Sequence, residues 1–167
     1  MTTKIEKALI NELSEEPTAA AIEQYKLYVE TAEKNSSRRL TANSFFLTIN
    51  TGLSALMGYM TSFKGIDSVV AQVAVPAAGI ILSYFWYRLI VSYREMNRAK
   101  FKVIHEMEEK LPFRAFEAEW EAADRGKNPK KYRPYTNIES AVPWVFIAIH
   151  LLLLISPAIS LLTCDVK

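Results

Sequence analysis

The chain has 167 residues, half of them hydrophobic and 23% charged, with five Gly and seven Pro. That apolar content excludes a disordered or low-complexity chain, and a single cysteine, Cys164, excludes a disulfide scaffold. Twenty Lys and Arg against eighteen Asp and Glu leave a net charge of +2, too mild a surplus to make nucleic acid an expected partner.

Residues 1–39 are charged and polar, with no early apolar run of the kind a cleavable signal peptide needs. They read as helix, because Ile22, Tyr25, Val29 and Ala32 recur at 3-4-3 spacing and form one apolar stripe. Pro17 suits a first turn, the pair Glu15–Glu16 favours a helix N-terminus, and Asn35, Ser36 and Ser37 predict a break. Three uncharged segments then follow, at 40–63, 68–87 and 140–164. The first would extend roughly 36 Å as helix, against a hydrocarbon core of roughly 30 Å. The second is just long enough to span, and the third holds His150 as its one titratable group before Cys164. Three such runs exceed what a soluble bundle requires for its core. Asn43, Thr48, Asn50, Thr51 and Ser54 dilute the first, which therefore reads as a packed or cavity-lining span.

Lys and Arg set the orientation. Six precede the first segment, one lies in the link, twelve lie in 88–139, and one follows the third segment. Positive residues stay on the cytoplasmic side. The expected fold is all-α: an integral membrane protein with three transmembrane helices and a small helical cytoplasmic domain. Its parts are a cytoplasmic N-terminal helix (1–39), a transmembrane hairpin (40–87), a cytoplasmic helical region (88–139), a third transmembrane helix (140–164) and an external tail (165–167). The second span is expected to continue as helix, since no Gly or Pro occurs from Phe85 to Leu111, and to end near Pro112. A short helix follows with Phe113, Phe116 and Trp120 on one face and Gly126 as C-cap. The basic run KNPKKYRP at 127–134 suits an anchor at anionic lipid. Pro143 fits the first turn of the third span, and Pro76 and Pro157 predict kinks. Tyr84, Trp86, Tyr87 and Trp144 read as an aromatic belt.

Few residues suggest chemistry. There is no phosphate-binding loop, dinucleotide fingerprint, HExxH or CxxC. Two histidines and one cysteine do not make a zinc site, so no catalytic residue, metal or cofactor is expected. Glu106, Glu108 and Glu109 read as a solvated helix face. Arg98 and His105, seven apart, share a helix face; they suit either RNA cleavage by acid–base and phosphate-stabilising chemistry, or an anchor beside a surface histidine. His150 is a candidate for protonation within the membrane, or a structural hydrogen-bonded histidine. Asn43, Asn50 and Ser54, continued by Gly58 and Thr61, form a polar stripe on the first span. That stripe either contacts other helices and subunits or lines a wet path.

Three stretches carry a family resemblance: SRRLTANSFFLTINTG at 37–52, WYRLIVSYREMNRAKFKVIHEMEEKL at 86–111, and KYRPYTNIESAVPW at 131–144. With Tyr93-Arg94, Asn97, Lys100-Phe101, Leu111-Pro112 and Pro143-Trp144 as anchors, the chain resembles the RipA-like family of small octameric bacterial membrane proteins. The resemblance implies a homo-octameric ring in the bacterial inner membrane with helical cytoplasmic parts. Some similar proteins accompany RNA-guided defence nucleases and are thought to form pores. The expected function is a non-enzymatic, pore or channel-like assembly whose partners are the lipid bilayer and copies of itself. Two other readings stand beside it: a scaffold whose cytoplasmic helices recruit a protein partner, and a membrane-tethered ribonuclease using Arg98 and His105.

Overall fold

The computed structural model describes residues 17–62, 69–128, 130 and 138–164. Four α-helices account for nearly all of them: α1 (Ala19–Ser62), α2 (Val69–Glu108), α3 (Ala115–Ala122) and α4 (Val142–Cys164), with a 3₁₀ turn at Asp124–Gly126. The pair Glu15–Glu16, the link 63–68, residues 131–137 of the basic loop and the tail 165–167 lie outside the described residues, as do the side chains of Pro157 and Cys164. Two compact units divide the chain at 38/39, 91/92 and 137/138, next to the ends of the uncharged segments. Helices α1 and α2 contribute to both units.

α1 starts at Thr18, whose Oγ1 accepts the Ala21 N–H at 3.2 Å and so caps the helix. Pro17 precedes this cap rather than opening the first turn. The expected break at Asn35–Ser37 is absent, and the helix runs straight through. Asn35 sends its amide to the Tyr93 carbonyl at 3.4 Å, so its side chain does not compete with its own helix for backbone partners. α2 also runs unbroken, with Pro76 buried inside it. Its last turn tightens, with Leu111 N–H donating to the Glu108 carbonyl at 3.0 Å, before Pro112.

In the unit holding the first part of α1, the end of α2, and α3, the organising residue is Glu108. The structure corrects its reading as part of a solvated face. Glu106 and Glu109 are exposed, but Glu108 is fully buried. Its Oε1 accepts the Tyr25 hydroxyl at 2.9 Å and the Phe116 N–H at 3.0 Å, and its Oε2 accepts the Glu117 N–H at 3.2 Å. A carboxylate from α2 therefore caps α3, where the orphan N–H groups and the helix dipole favour negative charge. The expected apolar face of α3 divides. Phe116 packs edge-on against Phe101 with ring centroids 5.5 Å apart, whereas Phe113 precedes the helix and is exposed. Gly126 ends not α3 but the turn after it. Asp124, Arg125 and Gly126 all have positive φ, at 55°, 49° and 69°. Arg125 is held there by Glu117 and by Glu121, its Nε lying 2.6 Å from Glu121 Oε2.

The second unit is built from the rest of α1, the first part of α2, and α4. Trp86 lies at its centre, stacked on Phe46 of α1 (6.0 Å) and tilted against Phe146 of α4 (6.1 Å). It is buried, which corrects its place in the aromatic belt; Tyr84 and Trp144 remain exposed. The buried positions of α2, Pro76, Gly79, Ser83, Trp86 and Ile90, follow a 3-4-3-4 step, which keeps one seam along a helix. Among the described residues, α2 alone is long and apolar enough to cross a membrane. α4 contributes a shorter apolar stretch, Val142–Ile155.

The phenol of Tyr25 is pushed well above its ordinary pKa, first by burial, then by its bond to Glu108 and that group's charge. The folded chain therefore keeps this proton where the unfolded chain starts to release it, near about pH 10. Stability from this pair is complete below that pH and is lost as pH rises beyond it. Thermal unfolding followed by circular dichroism should show a steeper fall above about pH 10 in the native chain than in Tyr25→Phe. Glu108→Ala should lower stability by about 3 kcal/mol at neutral pH, since it strips three donors of a charged acceptor.

Candidate functional site in the three-helix unit

The polar residues of the uncharged segments converge inside the second unit. At one end stands Glu139, almost fully buried just before α4. Asn43 donates its amide N–H to Glu139 Oε1 at 3.1 Å and accepts the Trp86 indole N–H on its own Oδ1 at 2.9 Å. Arg39 Nε lies 3.5 Å from Glu139 Oε2. One asparagine thus joins α1 to α2 and to the turn that opens α4. Two turns further along α1, Asn50 is fully buried. Its Oδ1 accepts the Ser83 hydroxyl at 2.8 Å, and its amide donates to the Phe46 carbonyl at 2.9 Å. Ser54 donates back to the Asn50 carbonyl at 2.9 Å.

Next comes His150 of α4, fully buried against Gly79 of α2. A Cβ built at Gly79 would fall 2.3 Å from the imidazole Nε2. Only glycine leaves room for the ring. Position 79 thus needs glycine for close approach and not for any unusual backbone angle.

These contacts change the use of the predicted stripe. Asn43 and Asn50 bond within one chain, with Ser54 beside them; Asn50 is buried, whereas Asn43 and Ser54 are half-buried. The adjoining face of α1, which shares Gly58 with that stripe, is open. Ser44, Thr48, Thr51, Ala55, Gly58 and Ser62 are all exposed and step by 4-3-4-3-4. A Cβ at Gly52 or Gly58 would meet nothing within 4 Å. Ser44, Thr48 and Ser62 return their hydroxyls to the carbonyl four residues back, at 2.8–3.1 Å, which satisfies them without water.

Arg98 and His105 lie in the other unit, and each has its own carboxylate. Arg98, two-thirds exposed, bonds Glu95 at 3.0 Å. His105 Nδ1 is 3.3 Å from Glu117 and its ring stands edge-on to Phe101. Among the described residues no group of three His, Cys, Asp or Glu is placed to hold a metal ion.

Ser83, Gly79, Glu108 and Glu139 are partners that no motif in the sequence marks. The 3-4 recurrence of small and polar residues on α2 was the available signal.

The model of the octameric membrane protein family (8xMP) matches residues 22–159. The chain belongs to that family. No curated protein and no solved structure matches it. The matched range covers both units and nearly all of α1, α2, α3 and α4, and it contains the stretches that carry the resemblance to small octameric membrane proteins. This 8xMP member is thus a membrane protein that self-associates, and its helical core of Asn43, Asn50, Ser83, Trp86, Glu139 and His150 lies wholly inside the family's range.

Asn43→Ala removes both the acceptor of the Trp86 indole and a donor to buried Glu139. It should destabilise the detergent-solubilised protein by about 2 kcal/mol in denaturant titration. Asn50→Leu should cost less, about 1 kcal/mol, because Ser83 can turn to a carbonyl one turn back.

Proposed function

We propose that this 8xMP chain forms a pore or channel-like ring in a bacterial inner membrane. Three spans per subunit contribute: the second part of α1, the first part of α2, and α4. The Lys and Arg distribution supports a cytoplasmic N-terminus, a cytoplasmic 88–139 region and an external C-terminus. The observation that carries the reading is the open face of α1. It is charge-free, studded with hydroxyl and small side chains, and unfilled at Gly52 and Gly58. Leu56, Tyr59, Ile81, Phe85, Val145, Leu152 and Ile155 are exposed elsewhere in the unit and suit lipid. A face of serine, threonine and glycine suits a shared aqueous path, where hydroxyls exchange their helix carbonyls for water. The role is non-enzymatic: the pairing of Arg98 with Glu95 and of His105 with Glu117 supports a structural use of both residues.

A second reading, a membrane scaffold, is favoured by exposed apolar groups in the other unit. Leu27 and Phe113 are more than half exposed, and Gln24, Leu27, Tyr28, Thr31 and Met107 line a shallow groove there. A protein partner seated on these residues is that reading's requirement.

Thr51→Cys, made in a Cys164→Ser background and assembled in liposomes, separates the readings. The expected result is ion flux that a membrane-impermeant thiol reagent reduces about tenfold, as expected for a side chain on a narrow path. Flux untouched by the reagent, with Thr51→Cys cross-linking into dimers, moves the face to a subunit contact. Absence of flux from the unmodified octamer overturns the pore and leaves the scaffold. Purified chain that cleaves RNA, and loses this with His105→Ala, would instead restore the nuclease.

A further inference from the structure

His150 is fully enclosed, and neither ring nitrogen has a hydrogen-bond partner among the described residues. The side-chain site at Gly79 is occupied by the tip of its ring. A Cβ there would lie 2.3 Å from Nε2, 2.4 Å from Cε1 and 2.5 Å from Cδ2. The ring thus fills the space over Gly79 with both nitrogens unbonded among the described residues. A neutral imidazole keeps one N–H donor and one acceptor lone pair; the cation has two N–H donors and a charge. Each unpaired buried donor costs about 1–3 kcal/mol, and an unpaired buried charge costs more. The seated ring therefore holds no proton beyond its neutral complement, and gaining one requires that it leave.

We propose that His150 is a proton-binding site within the membrane-spanning unit, and that taking up the proton lifts the ring out of the Gly79 notch. Among the described residues of this unit, the other buried polar groups are bonded. On α1 the polar groups Asn50 and Ser54 are bonded to Phe46, Ser83 and the Asn50 carbonyl. On α2 the notch is flanked by Pro76 and Ser83. The ionisable side chains described in this unit are Arg39 and Tyr59 on α1, Tyr84, Tyr87 and Arg88 on α2, and Glu139 before α4. Arg39 pairs with Glu139, Tyr87 packs on Trp144, and Tyr59, Tyr84 and Arg88 are exposed. Pro76, one turn from the notch, removes a backbone hydrogen bond from α2 at the place where the two helices must part. Acid thus acts on α4 packing through one side chain. The proposal does not depend on whether the assembly conducts, and its test reads no flux.

The chain has only two histidines, so labelling is simple. Protein labelled with ¹⁵N,¹³C at His and Gly is assembled in lipid nanodiscs and followed by solid-state NMR, with His105→Gln assigning the remaining ring to His150. At about pH 8 a neutral His150 ring should contact the Gly79 α-protons; towards about pH 5 an imidazolium signal should grow as that contact disappears in proportion. Gly79→Ala should lack the ring contact at every pH. An imidazolium that keeps its Gly79 contact, a ring that stays neutral to about pH 4.5, or a contact missing at about pH 8 would each overturn the proposal. The native-sequence series decides even if Gly79→Ala does not assemble.

Discussion

A carboxylate withdrawn from water needs a donor or a countercharge, and Glu139 obtains one of each only from a particular arrangement of three helices. Asn43 must point its amide at Glu139 while its oxygen receives the Trp86 indole, and Arg39 must lie one turn before it. Those requirements set the rotation of α1 and α2 and the start of α4 together. Once that phase is set, the later contacts follow by helical repetition. Seven residues along α1 from Asn43 is Asn50, and three and seven residues back along α2 from Trp86 are Ser83 and Gly79. Seven residues along α4 from buried Pro143 is His150.

The other unit solves the same problem with the same residue type. Glu108 is as buried as Asn50, and it too gathers donors from separate helices: a phenol from α1 and two backbone amides from α3. Each compact unit is therefore joined at a buried glutamate rather than at a large apolar core. Among the described residues, Asn50, Ser83, Glu108 and His150 are as fully buried as Met57, Ile90 and Ile104. In the three-helix unit Asn50, Ser83, Glu139 and His150 are buried while Leu56, Phe85, Val145 and Leu152 are exposed, an arrangement that apolar surroundings tolerate.

The sequence made the helical class, the charge-free segments and the oligomeric membrane family legible, because those rest on long stretches and on extended motifs. Its stripe of Asn43, Asn50 and Ser54 was a true helix face, but its destination was not readable. A polar face on a span suits an internal bond, a neighbour or a path equally well until the facing helix is known, and the facing residues, Ser83, Trp86 and Glu139, carry no mark of their own. Trp86 looked like a boundary aromatic because Tyr84 and Tyr87 surround it; only the 3-4 step through Gly79 and Ser83 turns it inward. Asn35–Ser37 read as a break because those residues favour turns, and the bond from Asn35 to Tyr93 overrode that preference. Glu108 was lost in a run of three glutamates, since nothing local distinguishes the one that caps a helix seven residues further on.

The fit of His150 into the space over Gly79 also limits how this protein can change. While the imidazole is there, any side chain at position 79 collides with it, so a substitution at that position must displace the ring. If histidine is replaced first by something smaller, a void opens against bare backbone, and alanine or serine at 79 then becomes an improvement where it had been a clash. Bulk at 79 and bulk at 150 thus compete for one space. A side chain at 79 beside histidine therefore requires a ring seated elsewhere, whereas the same side chain beside a small residue at 150 restores the lost packing.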